Sequence, residues 1–95
     1  MEFSRDLRDA VMAGDVTVSF RLWRRPRVRP GGRYCAGPAQ IEAGSVELTP
    51  FAAITPGGIR RSGERDRESP RQRAAHAGPI AEGTLLYRVE FHLAG

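Results

Sequence analysis

The stretch Thr84-Leu85-Leu86-Tyr87-Arg88-Val89-Glu90-Phe91-His92-Leu93 decides the fold. In an extended chain successive side chains point to opposite faces. Leu85, Tyr87, Val89, Phe91 and Leu93 therefore share one face, with Arg88, Glu90 and His92 on the other. This is the pattern of a strand with one apolar side. Asp15-Val16-Thr17-Val18-Ser19-Phe20-Arg21-Leu22-Trp23 has the same period. Val16, Val18, Phe20 and Leu22 alternate with Thr17, Ser19, Arg21 and Trp23, so a second half-buried strand is expected. The two strands belong in one sheet, with Val16, Val18, Phe20, Val89 and Phe91 in a single core. The phase of Thr17, Ser19 and Arg21 forms either the floor of a polar pocket or an exposed outer face. Glu90 is expected to pair with a neighbouring arginine.

Residues 39–49 read as a longer strand whose apolar phase slips from Ile41 and Ala43 to Val46 and Leu48. A bulge at Gly44-Ser45 accounts for the slip. Arg33 to Ala36 forms a short strand, and Phe51-Ala52-Ala53-Ile54 a single helical turn. Leu7, Ala10 and Val11 stand at helical spacing between an N-cap at Ser4 and a C′ glycine at Gly14, so residues 5–13 form an amphipathic helix. Residues 56–78 contain Ile59 as their one large aliphatic or Phe side chain. Residues 56–68 are expected to be mobile. A short helix follows from Ser69-Pro70-Arg71-Gln72, where Ser caps, Pro occupies N1 and Gln stands at N3.

The chain has 95 residues, of which 20 are Val, Leu, Ile or Phe. That supports one small core, and residues 1–95 are read as a single α+β domain. The net charge is +4, and all 15 basic residues are arginine. With no lysine there is no Schiff-base amine, no P-loop lysine and no lysine base. The lone Cys35 can neither close an internal disulfide nor supply a cysteine-rich zinc site. His76 and His92 are far apart in sequence, so neither a metal nor another cofactor is expected. The charged N-terminus does not resemble a signal peptide, and no apolar run reaches the ~20 residues of a membrane span. A cytoplasmic protein without a membrane partner is expected.

From Arg21 to Arg33 there are six arginines and no acid, with Trp23 inside the run and Tyr34 beside it. Arginine forks match phosphate oxygens, and guanidinium and indole planes stack on bases. Either this is a contact surface for RNA or a nucleotide-like ligand, or it is a solvated basic loop. On the first reading Thr17, Ser19 and Arg21 line a basic cleft, Arg24, Arg25, Arg27 and Arg29 form its rim, and Trp23 is a stacking residue.

Three segments resemble small bacterial ASCH domains, members of the PUA-like superfamily of β-barrels. Gly14-Asp15-Val16-Thr17-Val18-Ser19-Phe20-Arg21 is similar to the family's Gly-x-Lys-x-x-Glu-x-Arg, where Thr or Ser often replaces Glu. Phe51-Ala52-Ala53-Ile54-Thr55 leads to Ser62-Gly63, where many members have Glu-Gly. Leu86-Tyr87-Arg88-Val89-Glu90-Phe91 is similar to the terminal aromatic-x-x-Glu-Phe strand. The resemblance implies a small, partly open PUA-like barrel with peripheral short helices, and RNA binding. Some members deacetylate 4-acetylcytidine with Lys, Thr and Glu, and ribonuclease activity is attributed to others. Here the lysine position is Val16 and the Thr position Ser19, while the Glu position falls at or near Ser62, with Glu64 close by. The resemblance thus implies a binding domain more than an enzyme. The enzymatic alternative would use Ser19 with Glu64, and a further alternative is a protein-interaction module.

Overall fold

The computed structural model describes residues 3–64, 66, 68 and 79–94. Helix α1 spans Arg5–Met12. Strands β1, β2, β3 and β4 span Val18–Arg21, Arg33–Ala36, Ala39–Pro50 and Leu85–Leu93. A 3-10 turn at Phe51–Ala53 and helix α2 at Pro56–Arg61 lie between β3 and β4. The four strands form one antiparallel sheet in the order β1-β4-β3-β2, curled into a half-barrel. The two short helices complete the expected α+β architecture. The helix expected from Ser69 and the residue His76 lie outside the described residues.

Strand β4, from the stretch that decides the fold, is central, paired to β1 along Val18–Arg21 and to β3 along nearly its whole length. The bulge falls as the phase slip requires: Ala43 stands opposite Phe91 and Ser45 opposite Glu90, leaving Gly44 without a counterpart. Helix α1 ends as expected, with Gly14 N donating to Val11 O and Asp15 N to Ala10 O.

The core is two-sided, which corrects the expectation of one. Val89 stands opposite Ser19, while Val18 stands opposite Glu90 and Phe20 opposite Arg88. Directly opposed residues share a face. Val89 and Phe91 thus look one way, and Val18 and Phe20 the other. On the first face Val11, Val16, Val28, Ile41, Val89 and Phe91 pack with Phe3, and α1 supplies Leu7 and Ala10. On the second face Phe51, Ile54, Ile59 and Leu86 pack with Phe20 and Leu22. A small chain gains buried area by covering both faces of its sheet: the apolar phase of β1 meets the second cluster, and its polar phase lies on the face of the first.

Residues 56–61 are also corrected. They form α2, in which Thr55 Oγ1 accepts from Gly58 N over 3.0 Å and Ile59 is buried in the second cluster. Its C-terminal end joins the sheet where Thr17 N donates to Arg61 O. Among the described residues, no helix is long and apolar enough to cross a membrane.

Candidate nucleic-acid interface

The arginine run leaves β1 and returns at β2 as a loop with one buried pin. Val28 is buried in the first cluster, while Arg24, Arg25, Arg27 and Arg29 on either side of it are exposed. Arg29 N donates to Tyr34 Oη over 2.8 Å. Gly31 N donates to Ala43 O over 2.7 Å, and Ala43 N to Gly32 O over 2.9 Å, so the sheet's hydrogen bonding continues into the loop. The four guanidinium groups form no ion pair among the described residues. Their charge is displayed on backbone held at Val28, Arg29 and Gly31.

The other expected site residues are placed differently. Ser19 is buried, and its Oγ accepts from Arg21 Nε over 2.7 Å. The Arg21 guanidinium lies 5.0 Å from the centroid of the Phe3 ring, a cation–π contact. Trp23 is half-buried, with its ring centroid 6.0 Å from that of Tyr87. Glu64 is buried just past α2, where its N–H donates to Ile59 O. Ser19 and Arg21 thus lie together on the face of β4 that carries Val89 and Tyr87.

A separate cleft of about 390 Å³ opens beside the bulge, lined by Thr17, Ser45, Arg61, Glu90 and His92 among others. Of the expected ligand-binding residues it contains Thr17 alone. Arg61 reaches across it, donating from Nε to Thr17 Oγ1 and from Nη2 to Glu90 Oε1, each over 3.0 Å. Arg88 Nη1 donates to Glu90 Oε2, also over 3.0 Å. These hydrogen bonds, Arg61's foremost and then Arg88's, hold the Glu90 carboxyl below its ordinary pKa despite the opposing effect of burial. The pairing expected for Glu90 is therefore present twice. Sequence reading passed over Arg61 because it falls in the stretch taken as mobile; the Thr55-Pro56 start signal could have placed it on a helix.

Comparison with solved structures then settles the architecture. An ASCH domain from Lactobacillus crispatus superposes with a TM-score of 0.77 at 18% identity, covering 93% of this chain and 70% of its own. The chain has the fold of an ASCH domain. A protein from Enterococcus faecalis, described under DUF984, matches with a TM-score of 0.74 at 14% identity, covering 94% of this chain and 67% of that one. The hypothetical protein PH0355 matches with a TM-score of 0.71 at 14% identity, covering 99% and 96%. No family model matches the sequence, and no curated protein does. Within this ASCH fold, the position that the motif resemblance aligns with lysine is Val16, 2% exposed and packed in the first cluster. The Ser62 hydroxyl beside Gly63 is turned inward, donating to Ile59 O over 2.7 Å.

Proposed function

We propose that this chain binds RNA or a nucleotide-like ligand through the arginine loop between β1 and β2. The observation that carries the reading is the way the loop is held. A solvated basic loop needs no anchors, whereas this one spends a buried valine, a tyrosine hydroxyl and two backbone hydrogen bonds on fixing the segment that bears four exposed arginines. Fixing the backbone lowers the entropy lost when guanidinium groups close on phosphates. Arginine also suits the task, because its planar fork meets phosphate oxygens in pairs.

Binding of single-stranded RNA at graded salt concentration tests the reading. Contact with four phosphates gives a slope of about −3 for log K against log salt on a single strand. Replacing Arg24, Arg25, Arg27 and Arg29 with Ser should flatten the slope. A slope that survives the fourfold replacement would make the loop a solvated one and send the search for a binding surface elsewhere.

A further inference from the structure

The first face of the sheet is covered at one end and bare at the other. The row Ser19–Val89–Val46 runs across β1, β4 and β3 and belongs to the packed end, with Val89 fully buried. The next row on the same face is Arg21–Tyr87–Leu48, and beyond it Leu85 stands opposite Pro50. Here the covering stops: Leu48 is 54% exposed and Leu85 52%, and Tyr87 is half-buried. Trp23, leaving β1, lies against Tyr87 at 38° between ring planes. Single exposed leucines are ordinary on a surface, but two leucines, two partly exposed aromatics and a proline in contiguous positions form a patch.

We propose that this patch is a docking site for an unpaired nucleobase, seated on Trp23, Tyr87, Leu48 and Leu85 while its flanking phosphates lie on the neighbouring arginines. The inference rests on the RNA reading above and deepens it, adding the base to the backbone. Charge favours an anionic occupant. Arg24 and Arg25 are exposed directly after Trp23, and neither row on this face contains an acid. The acids of these strands, Glu42, Glu47 and Glu90, stand opposite His92, Arg88 and Val18, on the other face. Aromatic rings bind the π-face of any base, and adjoining cations hold the strand that carries it. A protein strand or a second copy of the chain would also meet the apolar patch, but neither makes use of Arg21 within its row or of the exposed Arg24 and Arg25 that follow Trp23.

Trp23 is the only tryptophan in the chain, so its emission reads the patch directly. Dodecauridylate and a dodecamer of ribo-abasic residues, which keep the 2′-hydroxyl, carry the same phosphates and sugar hydroxyls and differ only in bases. Dodecauridylate should quench Trp23 and bind roughly tenfold more tightly than the abasic strand, the scale of one stacked base. Leu48→Ser with Leu85→Ser, both at exposed positions, should reduce that advantage severalfold and leave abasic binding unchanged. Tyr87→Ala should remove it, provided circular dichroism shows the variant folded. Equal affinity for the two strands, with Trp23 emission unmoved, would overturn the base site and leave the phosphate reading standing. Emission that follows protein concentration instead of RNA would assign the patch to self-association. Failure of both strands to bind would overturn the two readings together.

Discussion

Arg61 Nε donates to Thr17 Oγ1 over 3.0 Å, joining residues 44 positions apart in the chain. The same guanidinium reaches Glu90, so one side chain of α2 ties the residue that leads into edge strand β1 to central strand β4. Glu90, held by Arg61 and Arg88, has its pKa lowered in the folded state. A carboxylate depressed on folding stabilises the protein above its unfolded pKa of about 4.3, and that contribution is lost as pH falls through the lower, folded value. The Glu90 side chain is 42% exposed, so solvent screening limits the effect to about 1 kcal/mol or less. Glu90→Gln should therefore lower stability by about that amount at pH 7, and the difference from the parent should vanish at acid pH below the folded pKa. Denaturant titrations at the two pH values check this. A difference that persists in acid would assign the loss to packing.

Gly63 and Gly14 separate backbone strain from crowding. Their φ angles are +81° and +82°, a region in which a β-carbon is disfavoured. A Cβ at Gly63 would lie 2.7 Å from Leu7 Cδ2 and 2.9 Å from Val16 Cγ2, whereas one at Gly14 would meet nothing within 4 Å. Val16 is β-branched and buried, so it yields little. Gly14→Ala should cost about 1 kcal/mol from the backbone alone, and Gly63→Ala about 3 kcal/mol with overpacking added. Equal losses in thermal denaturation would mean that α1 moves aside without cost.

Much of this fold was legible in the sequence because the period of two survives wherever a strand has one strongly apolar side. The central strand, the short strand Arg33–Ala36, the long strand with its bulge at Gly44, the first helix and its glycine stop all follow from such patterns. What was not legible has two physical causes. Ser19 looks like a surface residue, yet it is buried because Arg21 satisfies its hydroxyl from the same strand face. That internal hydrogen bond conceals from an alternation rule that β1 is covered on the face of Val89 as well as on that of Phe20. Helix α2 is hidden by Gly57-Gly58, poor helix formers, although Thr55-Pro56 carries the same start signal as Ser69-Pro70. At the candidate interface, the arginines could be read from sequence, but their anchoring by Val28 and Tyr34 could not, since those contacts come from tertiary packing. Leu85 and Tyr87 share the strand face of Val89, and only the end of the covering layer leaves them open.

The two-sided core predicts additivity. Ile41 is buried in the first cluster and Ile59 in the second, with the sheet between them. Ile→Val at either position should cost roughly 0.5–1.5 kcal/mol. Residues without shared partners lose stability independently, so the double variant should equal the sum within about 0.5 kcal/mol. Chemical denaturation of the parent, both single variants and the double variant measures this. A coupling of 1 kcal/mol or more would mean that the clusters behave as one core.

Deacetylation of 4-acetylcytidine is the activity that the motif resemblance invites, and we expect none from this chain. Amide cleavage needs an activated nucleophile, a proton donor for the leaving amine and stabilisation of the oxyanion. A cleft lysine would serve either of the last two needs. At the corresponding position Val16 is buried among Phe3, Val11 and Phe91, and the chain has no lysine elsewhere. Arg21 can balance a negative charge, but its very high pKa makes it a poor proton donor. Its Nε is in any case directed at Ser19 Oγ, the hydroxyl that would act as nucleophile. A donor hydrogen bond from a guanidinium draws electron density from that oxygen, the opposite of activation by a base. Loss of one positioned acid or base costs on the order of 100- to 10,000-fold in rate. Chromatographic detection of released cytidine, run on the parent and on Val16→Lys with Ser62→Glu, provides the measurement. The double replacement is needed because an amine alone at Val16 would be a buried, unpaired charge, whereas a carboxylate at Ser62 offers it a partner. Product formed only by the double variant would show that the fold retains the cleft and lacks the groups; efficient turnover by the parent would refute the argument from Val16.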